Sequence, residues 1–166
     1  KLVYIPTIES SMIYKDYPNW EYKSWFWNVA VDFDTDNPSN LHLTQGGLSA
    51  WDPIKRKRVW GVNHTNEYNG GTLATAGDLI FQGTGEADFI AYDAKSGNKL
   101  WSYFTGTAII APPVTYHVNG QQYVSVLAGW GGSHGLRNPP SGKAAKYFQE
   151  GILYTFSLGS KGRQPE

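Results

Sequence analysis

Ala50-Trp51-Asp52, closed by Trp60, returns as Ala91-Tyr92-Asp93, closed by Trp101, with every matched position displaced by 41 residues. That recurrence constrains the chain more than any composition figure. A unit of this length is one small twisted sheet, which cannot bury both of its faces alone and must pack on copies of itself. The repeated phrase reads as the joint between copies. A small residue at Ala50 and Ala91 leaves room for a neighbour's flat ring, and the indole of Trp60 or Trp101 supplies the ring and a large buried area. Asp52 and Asp93 are placed to accept backbone N–H groups in the following turn. Gly97 can take a positive φ freely. Arg56 stands at the matching place, where a left-handed conformation costs about 1–2 kcal/mol, so a different turn is expected there.

A period of roughly 40–45 residues is that of the four-stranded blade of a β-propeller. The middle unit shows all four strands: TLATAG (72–77), DLIFQGTG (78–85), DFIAYDAKS (88–96) and NKLWSYFT (98–105). Each is rich in β-branched and aromatic residues and is bounded by glycine-bearing turns. We label them A to D, an antiparallel meander with A innermost. KLVYIPTIE (1–9), GGLSAWDP (46–53) and KRVWGV (57–62) match strands B, C and D of a preceding unit. AIIAPPVTYHV (108–118), QYVSVLAG (122–129) and GILYTFSLG (151–159) match A, B and C of a following one, with Asn119-Gly120 as a hairpin turn. The expected fold is all-β: about three four-stranded antiparallel blades of a partial propeller over residues 1–160, with 161–166 as a tail. No helix is expected beyond a turn or two in SGKAAKYFQE (141–150).

Strands alternate in direction, so the B–C and D–A loops of every blade open on one face. The B–C link is a short hairpin at Gly83–Asp88 in the middle unit but is swollen to about residues 10–46 and 130–150 in the flanking ones. The D–A link GVNHTNEYNGG (61–71) joins them there. Long loops on one face of a rigid scaffold are where function usually sits, which makes this face the candidate site.

Composition removes several other readings. Lysine plus arginine and aspartate plus glutamate number 14 each, so no nucleic-acid footprint or polybasic membrane patch is present. The absence of cysteine excludes disulfides, thiolate zinc sites and covalent haem attachment within these residues. No run approaches the roughly 18 apolar residues of a transmembrane segment, and the first residues lack the shape of a signal peptide.

Ala-x-Asp-x-x-x-Gly-x-x-x-Trp resembles the tryptophan-docking motif of pyrroloquinoline-quinone (PQQ) dehydrogenases. NGGTLATAGDLIFQGTGEADFIAYDAKSGNKLW (69–101), APPVTYHVNGQQYVSVLAGWGG (111–132) and GILYTFSLG are similar to the C-terminal part of PQQ alcohol dehydrogenases, of the quinohaemoprotein ethanol dehydrogenase type. The likeness covers residues 1–9 and about 46–160. It implies an eight-bladed propeller whose axis holds PQQ with Ca²⁺ or a lanthanide, oxidising an alcohol to an aldehyde in the periplasm and passing electrons to cytochrome c. It also implies that this segment packs on N-terminal blades of the same protein, which carry the catalytic base and the metal ligands. The segment alone is therefore expected to be inactive, with no catalytic or metal residue of its own. A haem c in the parent protein stays open.

The same resemblance singles out four cofactor-binding candidates. Tyr68 and Asn69, with Gly70-Gly71, match a stretch where an aromatic or amide group approaches PQQ, the glycines allowing close backbone approach. Either could equally belong to a simple turn. Trp130, in Gly-Trp-Gly-Gly, matches an active-site tryptophan region, and its neighbouring glycines favour a loop over a strand core. Glu9 falls where the family places an asparagine. A carboxylate beside an anionic cofactor is unfavourable, so Glu9 reads better as a solvated loop residue. Trp27-Asn28 resembles a pair in the family's long insertion.

Other signals are weaker. DFDTDN (32–37) spaces carboxylates like an EF-hand, but Asn37 and Leu43 replace the required glycine and glutamate, which favours a solvated loop. Gly83-x-Gly85 lacks the third glycine of a dinucleotide fingerprint, and Ser141-Gly142-Lys143 lacks the rest of a P-loop. His42, His64, His117 and His134 show no ligand spacing; His134 lies nearest Trp130. Besides the enzyme segment, the residues admit a non-catalytic propeller scaffold for protein partners or a Trp-rich carbohydrate-binding sandwich. The sandwich fails on the period. The Asn-Gly-Gly-Thr-Leu and Gly-Trp-Gly-Gly stretches favour the enzyme, because a scaffold needs only the joints.

Overall fold

The computed structural model describes residues 1–9, 15–25, 28–32, 45–131 and 151–160. Those residues form twelve strands and no helix. Strands β1 (Val3–Glu9), β4 (Gln45–Asp52) and β5 (Lys57–His64) make the first blade, in the order β1-β4-β5. Within the first long link, β2 (Lys15–Asp16) and β3 (Val31–Asp32) pair as a short ribbon, which the sequence did not signal. The second blade is complete: β6 (Asn69–Ala74), β7 (Leu79–Thr84), β8 (Asp88–Asp93) and β9 (Lys99–Phe104) lie side by side in chain order. The third holds β10 (Val114–Val118), β11 (Gln121–Ala128) and β12 (Ile152–Ser157). All pairings between the named strands of the three blades are antiparallel, as the strand and turn signals predict. Strand A of the third blade starts later than expected, at Val114, because Ile109 instead makes a parallel bridge to Gly129. The β10–β11 hairpin turns through Asn119 and Gly120, at φ 51° and 80°, the two positive values a tight I′ turn requires.

The second blade explains why its sequence is so apolar. Successive side chains of a strand point to opposite faces. Ile90, Tyr92 and Ala94, together with Ile80, meet Leu48, Tyr4, Trp60 and Val62 of the first blade. Phe89 and Phe81, on the alternate positions, meet Ile109, Val124, Val126, Tyr154 and Phe156 of the third. Both faces are thus covered, and β8 is buried at each of its four central residues. The outward faces of the flanking blades remain exposed, with Val3 and Ile5 on one side and the cross-strand pair Leu127 and Leu153 on the other.

At the first joint, the Trp60 indole N–H donates to Ala94 O at 3.1 Å, and the Tyr4 hydroxyl donates to the same carbonyl at 2.9 Å. The ring lies against Gly97, where an added Cβ would come within 2.6 Å of it. The seat is therefore Gly97 and not the alanine of the repeated phrase; Ala91 is instead the cross-strand partner of Trp101. Gly97 also has φ 76°, so two constraints fall on one residue.

The Asp-led turns form as expected. Asp93 Oδ1 accepts the backbone N–H groups of Lys95 and Ser96 and the Ser96 hydroxyl, and Asp52 Oδ1 accepts those of Ile54 and Lys55. Arg56 corrects the expectation of a different turn. Its φ is 53°, so it copies Gly97 despite carrying a side chain. The aspartate bonds fix the turn strongly enough to hold a residue in the left-handed region, where strain is modest for one position.

Trp101 is a second correction. It packs edge-on against Phe156 of the third blade at 5.3 Å, yet stays 40% exposed, so it is only part of a rivet. The place matching Gly97 in the third blade, four residues past Ser157, lies outside the described residues. So does the 141–150 stretch.

Candidate functional site

Glu9 ends β1, His64 ends β5, Asn69 opens β6, Thr84 ends β7 and Ala128 ends β11. These termini all fall on one rim of the arc, as strand alternation requires, and the long links rise from it. Backbone bonds tie the rim loops together: Gly85 N–H donates to Tyr68 O at 3.0 Å, and Gly129 N–H to Ala108 O at 2.8 Å. Asn66 folds the first loop inward, accepting Tyr68 N–H on its Oδ1 and donating its own N–H to Glu86.

Beneath that loop lies a buried polar chain. Gln82 is wholly buried; its Nε2 donates to Asn69 Oδ1 at 3.0 Å and to Gly70 O at 3.3 Å. These acceptors fix the amide orientation, so its Oε1 accepts from His64 Nε2 at 3.0 Å, which sets the imidazole tautomer. Asn69 Nδ2 in turn donates to Thr7 O at 3.0 Å and Glu67 O at 3.3 Å. Strands β1, β5, β6 and β7 of two blades are joined through three side chains.

This arrangement changes the meaning of the Tyr68-Asn69-Gly70-Gly71 stretch. Asn69 is buried and both of its amide groups are engaged within the protein. A Cβ on Gly70 would meet Ala111 O at 2.9 Å, and one on Gly71 would meet Pro112 Cβ at 2.7 Å. The glycines are required by the approach of the third blade's leading loop, whatever else comes near them. Tyr68 and Trp130 are half-buried, Tyr68 on the first D–A loop and Trp130 just past β11, a blade apart on the same rim. Glu9 is exposed at the tip of β1. Asn28 makes a local exposed pair with the Lys23 backbone, while Trp27, His42, His134, the P-loop-like Ser141-Gly142-Lys143 and most of the 32–37 acidic stretch lie outside the described residues.

Sequence reasoning missed Gln82 and His64. A lone polar residue amid the apolar alternation of DLIFQGTG was the available signal for Gln82. Two further groups stand out: Glu67 Oε2 and Thr107 Oγ1 are shut from solvent with no hydrogen-bond partner among the described residues. Residues 45–46, 64–71, 84–88, 105–113 and 129–131 of the rim carry no lysine or arginine, whereas Glu67 and Glu86 are acidic. Among the described residues no cluster of three or more His, Cys, Asp or Glu could hold a metal ion. No helix among them is long and apolar enough to cross a membrane.

Successive antiparallel sheets packed face to face, keyed by an Asp turn and a tryptophan docked on the next blade, define part of a β-propeller. Residues 23–124 match the family model described as the PQQ glucose/ethanol/alcohol dehydrogenase β-propeller domain, and the chain belongs to that family. It is 40% identical to the quinohemoprotein alcohol dehydrogenase of Comamonas testosteroni, with 99% of this chain aligned to 24% of that protein. The solved structure of that enzyme superposes with a TM-score of 0.85 over 99% of this chain and 25% of its own. The 1-butanol dehydrogenase (cytochrome c) of Thauera butanivorans is 39% identical over 99% of this chain and 24% of the relative. A europium-containing methanol dehydrogenase is 26% identical, with a TM-score of 0.68 over 95% of this chain and 31% of that one. The chain thus spans about a quarter of the length of the curated relatives it matches.

Proposed function

We propose that these blades form part of the chamber wall of a PQQ-dependent alcohol dehydrogenase that oxidises an alcohol to an aldehyde. The observation that carries this reading is the likeness to the Comamonas testosteroni enzyme in both sequence and backbone over nearly the whole chain. PQQ supplies the electrophilic quinone carbon that takes the hydride. The described rim fits a wall rather than a receptor for that cofactor's carboxylates. It offers the half-buried rings of Tyr68 and Trp130, while residues 45–46, 64–71, 84–88, 105–113 and 129–131 bring carboxylates and no lysine or arginine. Like charge would push an anionic ligand away from Glu67 and Glu86, so cationic partners for the PQQ carboxylates are expected from outside these short stretches, and the resemblance implies that the ligands of Ca²⁺ or a lanthanide sit on preceding blades. Within this wall Tyr68 and Trp130 bound the ring, Asn69 positions the Tyr68 loop, and Glu9 stands at the solvent edge. Residues 1–160 serve as one block of blades, with 161–166 as a tail.

Likeness to a quinohemoprotein alcohol dehydrogenase and to a 1-butanol dehydrogenase (cytochrome c) supports cytochrome c as electron acceptor and leaves room for a fused haem c in the complete polypeptide. We further propose a periplasmic location, on the family resemblance alone. The test is turnover: the complete polypeptide, supplied with PQQ and Ca²⁺, should reduce an artificial acceptor when given a primary alcohol. No turnover in a folded, PQQ-loaded sample would favour a non-catalytic propeller that binds protein partners. One observation speaks for that second reading. Asn69, Gly70 and Gly71 are already explained by packing between blades.

A further inference from the structure

Gln82 is the place where one buried side chain holds both ends of a site-facing loop. His64 is the last residue of β5 and Asn69 the first of β6, and the loop 65–68 runs between them. Gln82 reaches them from strand B of the second blade, accepting from one and donating to the other. Asn69 then pins the loop from within, through the Glu67 carbonyl.

The fold does not require this polar solution. The bonds from Gly85 to Tyr68 and from Gly129 to Ala108 set the register between successive loops. In that register Val126 of the third blade stands where Gln82 stands, and Ile109 where Asn69 stands; both are fully buried and apolar. At the next joint the places of the Gln82 and Asn69 amides are therefore apolar, with Ile109 filling the space over Gly83; that loop is held instead by Thr105, whose hydroxyl donates to Ala87 O or Thr107 O and whose carbonyl accepts from the Tyr154 hydroxyl. A buried amide whose partners are incomplete costs about 1–3 kcal/mol, whereas an apolar seam carries no such exposure to failure. What the polar version adds is a single geometry, because hydrogen bonds fix direction and hydrocarbon contact does not.

We propose that Gln82 is a positioning residue, clasping the loop 65–68 so that Tyr68 and Glu67 are preset on the rim before any ligand arrives. Glu67 and Thr107 occupy matched places in the two successive loops, each with a buried oxygen lacking a partner among the described residues. The clasp thus holds ready, at Glu67 Oε2, an acceptor for a donor that the described residues do not supply. The role in alcohol oxidation rests on the functional reading above; the presetting of the loop does not.

The experiment compares the wild-type complete polypeptide with Gln82→Leu, which keeps the bulk and removes all three bonds. Should that variant fail to fold, the pair Gln82→Val and Asn69→Ile, the set found in the third blade, replaces it. Trp60→Phe, at the opposite rim, is the control for general loosening. The first readout is hydrogen–deuterium exchange in the PQQ-free protein, with exchange at Asn66 and Tyr68 expected to quicken about tenfold or more in the Gln82 variant and not in the control. The second is apparent affinity for PQQ and KM for a primary alcohol, expected to weaken about tenfold, the equivalent of one lost buried hydrogen bond, with kcat changing less. Exchange within about twofold of wild type overturns the clasp. Faster exchange with unchanged PQQ affinity and KM overturns its positioning role and leaves a structural one. A wild type inert toward PQQ and alcohol sinks the functional reading alone, and the exchange comparison still decides the clasp.

Discussion

The joint between the first and second blades and the joint between the second and third are built by the same repeat from different materials. The first is keyed by directional bonds: Trp60 and Tyr4 converge on Ala94 O, and His64, Gln82 and Asn69 form a chain beneath the rim. The second is mainly a seam of rings and branched aliphatics, with Phe89 stacked on Phe156 at 5.4 Å and flanked by Ile109, Val124 and Val126, crossed by one bond from the Tyr154 hydroxyl to the buried Thr105 O at 2.8 Å. The difference teaches that the blade repeat specifies only that neighbours must pack. How they are oriented is a local matter, and the polar joint lies under the loop that faces the candidate site.

Removing packing from the apolar seam should have the largest effect. Phe89 is fully buried at the centre of that joint, so Phe89→Ala should cost about 3–5 kcal/mol by denaturant titration of the complete polypeptide. A loss under about 1 kcal/mol would mean that the seam does not hold the blades together. Gly97→Ala comes next. It adds a Cβ within 2.6 Å of the Trp60 ring at a φ of 76°, and overpacking plus backbone strain should cost about 2–4 kcal/mol. Gly120→Ala, at φ 80° with open space around it, isolates the backbone part and should cost only about 1 kcal/mol. Equal losses at the two glycines would remove Gly97 as the seat of the indole.

Smaller still is Trp60→Phe, which gives up the bond to Ala94 O and some ring area, and should lower stability by about 1–2 kcal/mol. The smallest effect is electrostatic. The Ser96 hydroxyl, then the Ser96 backbone N–H, hold the Asp93 carboxyl below its ordinary value of 3.8. A depressed carboxylate adds stability that is present above its unfolded pKa and is lost as pH falls through the folded one. Asp93→Asn keeps the acceptor but not the charge. The gap in melting temperature between it and the wild type should therefore be small near neutrality and close as pH drops below 3.8. A gap that widens in acid would reverse the assigned sign.

The chain's periodicity made the strands legible because each is a local pattern: alternating side chains, a turn, a second alternation. The aspartate turns were legible for the same reason, with every partner within three residues. Partners across a blade joint were not. Trp60 meets Ala94 at a separation of 34 residues, Tyr4 meets it at 90, and Asn69 reaches Thr7 at 62. Nothing near Gly70 announces that Ala111 will press against it, so its packing role is invisible in the sequence. Gln82 passed unnoticed because one polar residue in a strand acquires meaning only when its neighbours are known. Arg56 was misjudged in the other direction, since a local strain cost was allowed to outweigh a turn already fixed by Asp52.

By itself the sequence determined the architecture, its repeat length and the face on which long loops gather, because these follow from short-range periodicity and strand direction. Tertiary structure alone decided which residue seats the indole, why the paired glycines are there, and that a buried amide chain closes one joint while rings and aliphatics dominate its neighbour. Those outcomes depend on residues brought together from separate blades, whose approach is set by packing in three dimensions and leaves no mark within any one strand.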